Sequence, residues 1–158
     1  RQNSLGPAMA EVRELGFGVA LHTAGAYPRR LAEVLPLVDW VGLDIKALPE
    51  DYGQVAGVAA GGAKAWDSLD ALLASGVEHE VRLTVHPNSP QAGSAVEIAR
   101  RVKARGVRAF ALQNARLEGT RARFQREASV WNTAAWAAEF ARLAAEIEAL
   151  GWETFEAR

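Results

Sequence analysis

From Phe17 onward the chain switches between two hydrophobic periods. FGVALHT, DWVGLDIK, HEVRLTVHP and VRAFALQN place apolar side chains at alternate positions, the repeat of a strand with one face buried. Between them, YPRRLAEVLPLV, WDSLDALLASG and the stretch after Ser94 carry the three-to-four spacing of an amphipathic helix. The alternation predicts βα units around a parallel sheet. Ahead of the first strand, Leu5, Met9, Val12 and Leu15 follow helical spacing, with Gly16 as the stop. Ser94 and Glu97 read as a capping box for the third crossover helix, and Gly106 closes its last turn. An arginine-rich loop, LEGTRARFQREAS, leads to a last helix on which Trp136, Phe140, Leu143, Ile147 and Leu150 form one apolar stripe. WETFEAR reads as a short final strand, and GVAAGGA, from Gly57 to Ala63, as a flexible loop.

The two faces of each strand differ in kind. Val41, Leu43 and Ile45 share one face, and Trp40, Gly42, Asp44 and Lys46 the other. The split recurs as Val19 and Leu21 against Ala20 and His22, as Val81, Leu83 and Val85 against Arg82, Thr84 and His86, and as Phe110 and Leu112 against Ala111 and Gln113. In a doubly wound sheet both faces are covered and strands tend to be apolar throughout. A repeated small-or-polar face instead predicts strands curling around an interior, a barrel or partial barrel with helices outside. Polar residues gather at the carboxyl ends of the strands: His22 and Thr23, Asp44 and Lys46, His86 to Asn88, and Gln113 with Asn114. Ligands bind at that edge in parallel α/β folds. Asp44 and Lys46 admit two readings, a pair that closes a polar interior or part of a site drawn from several strands.

Length and composition narrow the picture. At 158 residues the chain suits one domain. A formal net charge of −1 gives no bulk attraction to nucleic acid or anionic membranes. No apolar run approaches the roughly 18 residues of a spanning helix, so no membrane role is expected and a cytoplasmic protein is. The sequence contains no cysteine, which excludes disulfides and thiolate ligands from these residues. Of the three histidines, His79 falls at the start of its strand, opposite the site edge, which argues against a three-histidine zinc site.

GFGVALHTAG, VDWVGLDIKALPEDYGQVAG, SGVEHEVRLTVHPN and FALQNAR together resemble, in order, the radical S-adenosylmethionine superfamily. The resemblance is to the activating proteins of anaerobic ribonucleoside-triphosphate reductase, relatives of pyruvate formate-lyase activating enzyme. It spans most of Gly16 to Arg116. It implies a partial (βα) barrel of which this chain supplies strands three to six, with residues 1–158 as one carboxyl-terminal portion. The three-cysteine loop for a [4Fe-4S] cluster and the GGE-type motif for the methionine amino group would precede Arg1. A chain that opens inside a helix fits that expectation.

The resemblance further implies that the reduced cluster cleaves S-adenosylmethionine, and that the resulting radical takes hydrogen from a glycine of the partner reductase. Thr23 and Asp44 match positions that help hold the cofactor carboxylate, partly through a cation in the pyruvate formate-lyase relative, and Lys46 and Arg82 match basic positions beside it. His22 and Ala24 depart from the relative's Asp-Thr-Asn-Gly pattern, which puts the cation in question. His86 and Gln113 sit where the nucleoside or the incoming glycine loop would be contacted. A glycyl-radical enzyme and an electron donor such as flavodoxin are the implied partners. Without cluster ligands, this chain alone is expected to be inactive. Two other classes compete: a phosphate or sugar-phosphate binding module using the same strand ends, and an interaction domain in which Asp44 and Lys46 form a satisfied pair.

Overall fold

The computed structural model describes residues 4–57 and 61–158. Helix α1 (Leu5–Glu14) precedes strand β1 (Ala20–Thr23). Helix α2 (Pro28–Val34), extended by a 3-10 turn over Leu35–Leu37, leads to β2 (Trp40–Asp44). After a second 3-10 turn (Pro49–Asp51), α3 (Tyr52–Ala56) and α4 (Gly61–Ser75) lead to β3 (Glu78–Val85). Helix α5 (Pro90–Ala104), β4 (Ala109–Asn114), α6 (Ala122–Ala128), α7 (Thr133–Glu148) and β5 (Thr154–Ala157) complete the order.

All five strands are parallel and lie side by side in chain order. Successive right-handed crossovers that always advance in one direction place their helices on one side of a sheet, the arrangement of an open, partial (βα) barrel. The core follows. Val41, Leu43 and Ile45 of β2 and its end, Val81, Leu83 and Val85 of β3, and Phe110 and Leu112 of β4 are buried. They form one cluster with Leu31, Trp66, Leu69, Ile98, Val102, Leu143 and Ile147 from the helices. At about 25 cal/mol per Å² of buried apolar surface, this layer dominates the stability of the fold.

The expected elements are present, and WETFEAR does form a fifth strand. Three boundaries differ from the expectation. Ser89, not Ser94, caps α5: its Oγ accepts from the Ala92 amide at 3.3 Å, while Ser94 lies inside the helix and donates to the Pro90 carbonyl. Pro90 at the first helical position explains the earlier start, since its missing N–H is one the helix cannot use. Within the arginine-rich stretch Ala122–Ala128 is helical, with Arg123 bonded to Glu127 one turn on. Of the expected loop from Gly57 to Ala63, residues 58–60 lie outside the described residues, and Gly61–Ala63 form the first turn of α4. Among the described residues no helix is long and apolar enough to cross a membrane.

Candidate functional site

Side chains alternate along each strand, so register decides which residues meet on the face away from the helices. His22 pairs with Gly42, Gly42 with Glu80, Asp44 with Arg82, Arg82 with Ala111, and Ala111 with Glu156. These residues share the polar face. Its centre is an ionic ladder that reading the strands singly does not show. Glu80 accepts from Arg82 Nε at 2.6 Å and from Arg158 Nη2 at 2.8 Å. Arg82 also reaches His22, with Nη1 2.7 Å from Nδ1. A guanidinium can only donate, so His22 Nδ1 accepts, and the ring proton of that neutral tautomer is on Nε2.

The ladder rests on small residues. A methyl group on Gly42 would stand 2.8 Å from Arg82 Cζ and from His22 Nδ1, so glycine is what lets the guanidinium lie against the strand. The Arg82 Cζ also lies 5.2 Å from the Trp40 ring centroid, and His22 meets that ring edge-on at 5.4 Å. Burial pushes the Glu80 carboxyl up, and the hydrogen bonds and charges of Arg158 and Arg82 outweigh it, leaving the pKa below the ordinary carboxylate value.

Asp44 and Lys46 sit at the carboxyl edge of the same face, 3.3 Å apart and 37% and 42% exposed. They are therefore open to solvent and to a ligand, unlike Glu80 and Arg82 at 17% and 16%. The loop after β2 is held from behind: Lys46 N–H donates to Tyr52 Oη at 3.0 Å and Trp66 Nε1 to the Ala47 carbonyl at 3.2 Å. Burial raises the Tyr52 pKa, partly offset by the Lys46 amide and reinforced by the charge of Asp44. The turn after β1 is fixed by α4. Gly25 adopts φ +66° and its carbonyl accepts from the buried Ser68 hydroxyl at 2.8 Å. A Cβ there would fall 2.9 Å from Ser68 Cβ, so neither the dihedral nor the space suits a side chain.

The expected residues divide into groups. His22, Asp44, Lys46 and Arg82 share the polar face, although Arg82 turns to His22 and Glu80 rather than to Asp44. Thr23 does not join them. It continues the parity of Leu21, its Oγ1 accepts from the Gly25 amide at 3.1 Å, and it lines a 230 Å³ cavity with Leu5, Leu21 and Leu31 on the helix side. Gln113 accepts from Thr84 Oγ1 at 3.2 Å, and both line a 320 Å³ depression with Arg116 and Arg158. His86 stacks on Trp131 at 5.3 Å and meets Phe124 edge-on at 5.1 Å, its Nδ1 donating to the Pro87 carbonyl. That cluster ties α6 and the segment after it to the end of β3. Sequence reading missed Glu80 and Arg158. The signal present was their parity with Arg82, through β3 and β5. Among the described residues no group of three His, Cys, Asp or Glu side chains is arranged to hold a metal ion. Neither a protein-family model nor a curated protein sequence matches the chain.

Proposed function

We propose that this chain is the carboxyl-terminal portion of a cytoplasmic radical S-adenosylmethionine activating enzyme, one that generates a glycyl radical on anaerobic ribonucleoside-triphosphate reductase. The observation that carries the reading is the solvent-open Asp44–Lys46 pair, on the polar face of a singly wound parallel sheet and at its carboxyl edge.

S-adenosylmethionine presents a carboxylate and an ammonium group beside its sulfonium. Lys46 and Asp44 offer the complementary charges, and each is exposed enough to exchange its present partner for the ligand. Arg82 serves differently. Held by Glu80 and His22, it is a fixed positive charge on the same face, one that needs no reorganisation when an anion arrives. A [4Fe-4S] cluster, held by residues other than these, would supply the electron for the radical chemistry. Gln113 and Thr84, on the neighbouring strands, offer uncharged hydrogen-bonding groups for a nucleoside or for the glycine loop of the reductase.

The test is calorimetric titration of S-adenosylmethionine into the parent enzyme and its Asp44→Ala variant. Affinity is expected to fall about tenfold, the equivalent of 1.4 kcal/mol. Stability should change by less than about 1 kcal/mol, because the pair is exposed. Unchanged affinity would remove Asp44 from the site. Saturable binding of a sugar phosphate on this face, with no response to S-adenosylmethionine, would favour the non-redox module instead. Residues 1–158 alone, supplied with iron, sulfide, reductant and S-adenosylmethionine, are expected to form no 5′-deoxyadenosine.

A further inference from the structure

Beside the Asp44–Lys46 pair, on the β1 side, two cavities of 330 and 250 Å³ adjoin and share Ala26, Tyr27 and Lys64. The larger is bordered by Arg29 and Arg30 at the start of α2. The smaller runs between Tyr27 and Tyr52, with Ala24 and Gly61 in its wall and Lys46 at its edge. Tyr27 is 58% exposed, a large aromatic side chain left facing solvent between basic residues.

The charge around this hollow is one-sided. Among the described residues no carboxylate lies within ion-pair distance of Arg29, Arg30 or Lys64, although nine other arginines are paired. Acidic residues do stand one turn along: Glu33 follows Arg29 and Arg30 on α2, and Asp67 follows Lys64 on α4. Those spacings commonly give intrahelical pairs. None forms here, so the three cations keep their hydrogen-bonding capacity for something else. Lys46, by contrast, is neutralised by Asp44.

We propose that this surface docks an acidic peptide segment of a partner protein. An apolar side chain of the peptide enters the hollow between Tyr27 and Tyr52, and flanking carboxylates meet Arg29, Arg30 and Lys64. Two features favour a peptide over a small anion. The smaller hollow, at 250 Å³, is of a size to take one side chain, and the larger, at 330 Å³, is only at the bottom of the roughly 300–1,000 Å³ range of small-molecule sites. All three cations border the larger hollow, and the hollow between Tyr27 and Tyr52 opens beside it, which is the layout of an apolar anchor with a charged rim. Such a rim acts mainly on encounter rate and partner choice, and its effect weakens with salt. The inference stands without the cofactor reading, since none of the three cations belongs to the proposed cofactor site.

Fluorescence anisotropy with a fluorescein-labelled pentapeptide, a phenylalanine between two pairs of aspartates, tests it on the chain itself. Binding is expected to weaken at least tenfold in the variant combining Arg29→Glu, Arg30→Glu and Lys64→Glu. A peptide with alanine in place of phenylalanine should bind several-fold less well, and salt should weaken the wild-type interaction. All three substituted residues are exposed, and circular dichroism with a urea midpoint checks that the variant folds. Should it not fold, Lys64→Gln alone is expected to lower affinity measurably. No binding by the wild type, equal binding by the charge-reversed variant, or equal binding of the alanine peptide would overturn the proposal. Displacement of the peptide by adenosine monophosphate at equal concentration would reassign the hollow to a small anion and overturn it as well.

Discussion

The guanidinium of Arg82 lies over Gly42 and meets the ring of His22, with Nη1 2.7 Å from Nδ1. Three strands contribute to this contact, and the residue in the middle contributes by having no side chain. The same arginine bonds Glu80 two residues back on its own strand, so β1, β2 and β3 are tied across the polar face as well as through the ladder hydrogen bonds.

Gly42→Ala is therefore expected to displace the arginine. Its methyl would fall 2.8 Å from both Arg82 Cζ and His22 Nδ1, and overfilling of this kind costs about 1–3 kcal/mol. A urea titration measures the loss. Nitrogen-15 spectra should show His22 as the Nε2–H tautomer in the wild type and a changed tautomer mixture in the variant.

Glu80 makes the ladder sensitive to acid. Its pKa in the folded protein is below the ordinary value of 4.5, so between the two values the unfolded chain binds more protons. Its contribution is complete above about pH 4.5 and disappears as pH falls through the folded pKa. Glu80→Gln should cost about 2 kcal/mol at pH 7, the range for hydrogen bonds to charged groups. The difference between wild type and variant should shrink steadily below pH 4.5 in urea midpoints.

Tyr52 acts in the opposite direction at the other end of the scale. Burial raises its pKa above the ordinary 10.0, so the folded chain holds the phenolic proton more tightly. Stability linked to it is present below pH 10 and lost as pH rises through the folded value. Tyr52→Phe leaves the Lys46 amide without its acceptor and should cost about 1–2 kcal/mol at pH 7. The variant should also lose less stability than the wild type between pH 9 and pH 11.

Two helical glycines should respond with opposite signs to alanine. At Gly62 a Cβ would stand 2.2 Å from the Pro49 carbonyl oxygen, a backbone atom that cannot move aside alone, so Gly62→Ala is expected to cost about 3 kcal/mol. At Gly93 in α5 nothing lies within 4 Å, and Gly93→Ala should stabilise by about 0.5–1 kcal/mol. Thermal unfolding of both variants, compared with the wild type, reads the two signs in one experiment.

Much of the fold was legible along the chain because strand and helix periods depend only on local geometry. Val41, Leu43 and Ile45 alternate with Gly42 and Asp44 whatever the sheet order, and the same holds for Val81 to Val85, so the division into an apolar and a polar face needed no coordinates. That parity already separated Thr23 from His22. The expectation that Thr23 joins Asp44 came from their shared carboxyl edge and from the resemblance, not from the alternation, and the structure follows the alternation.

Local sequence determined the βα order, the buried face of each strand and the placing of Asp44 and Lys46 on one polar face. Tertiary structure decided which charges on that face meet. Arg158 is 78 residues from Glu80 and reaches it because the pairing of β3, β4 and β5 brings their ends together. It also decided that Arg82 is engaged by Glu80 and His22 while Lys46 and Asp44 stay open, and that Arg29, Arg30 and Lys64 border adjoining hollows without carboxylate partners. An alternating pattern says only which way a side chain points. Whether it finds a partner there depends on strand register and on the size of the residue in between, and both are settled only when distant segments pack.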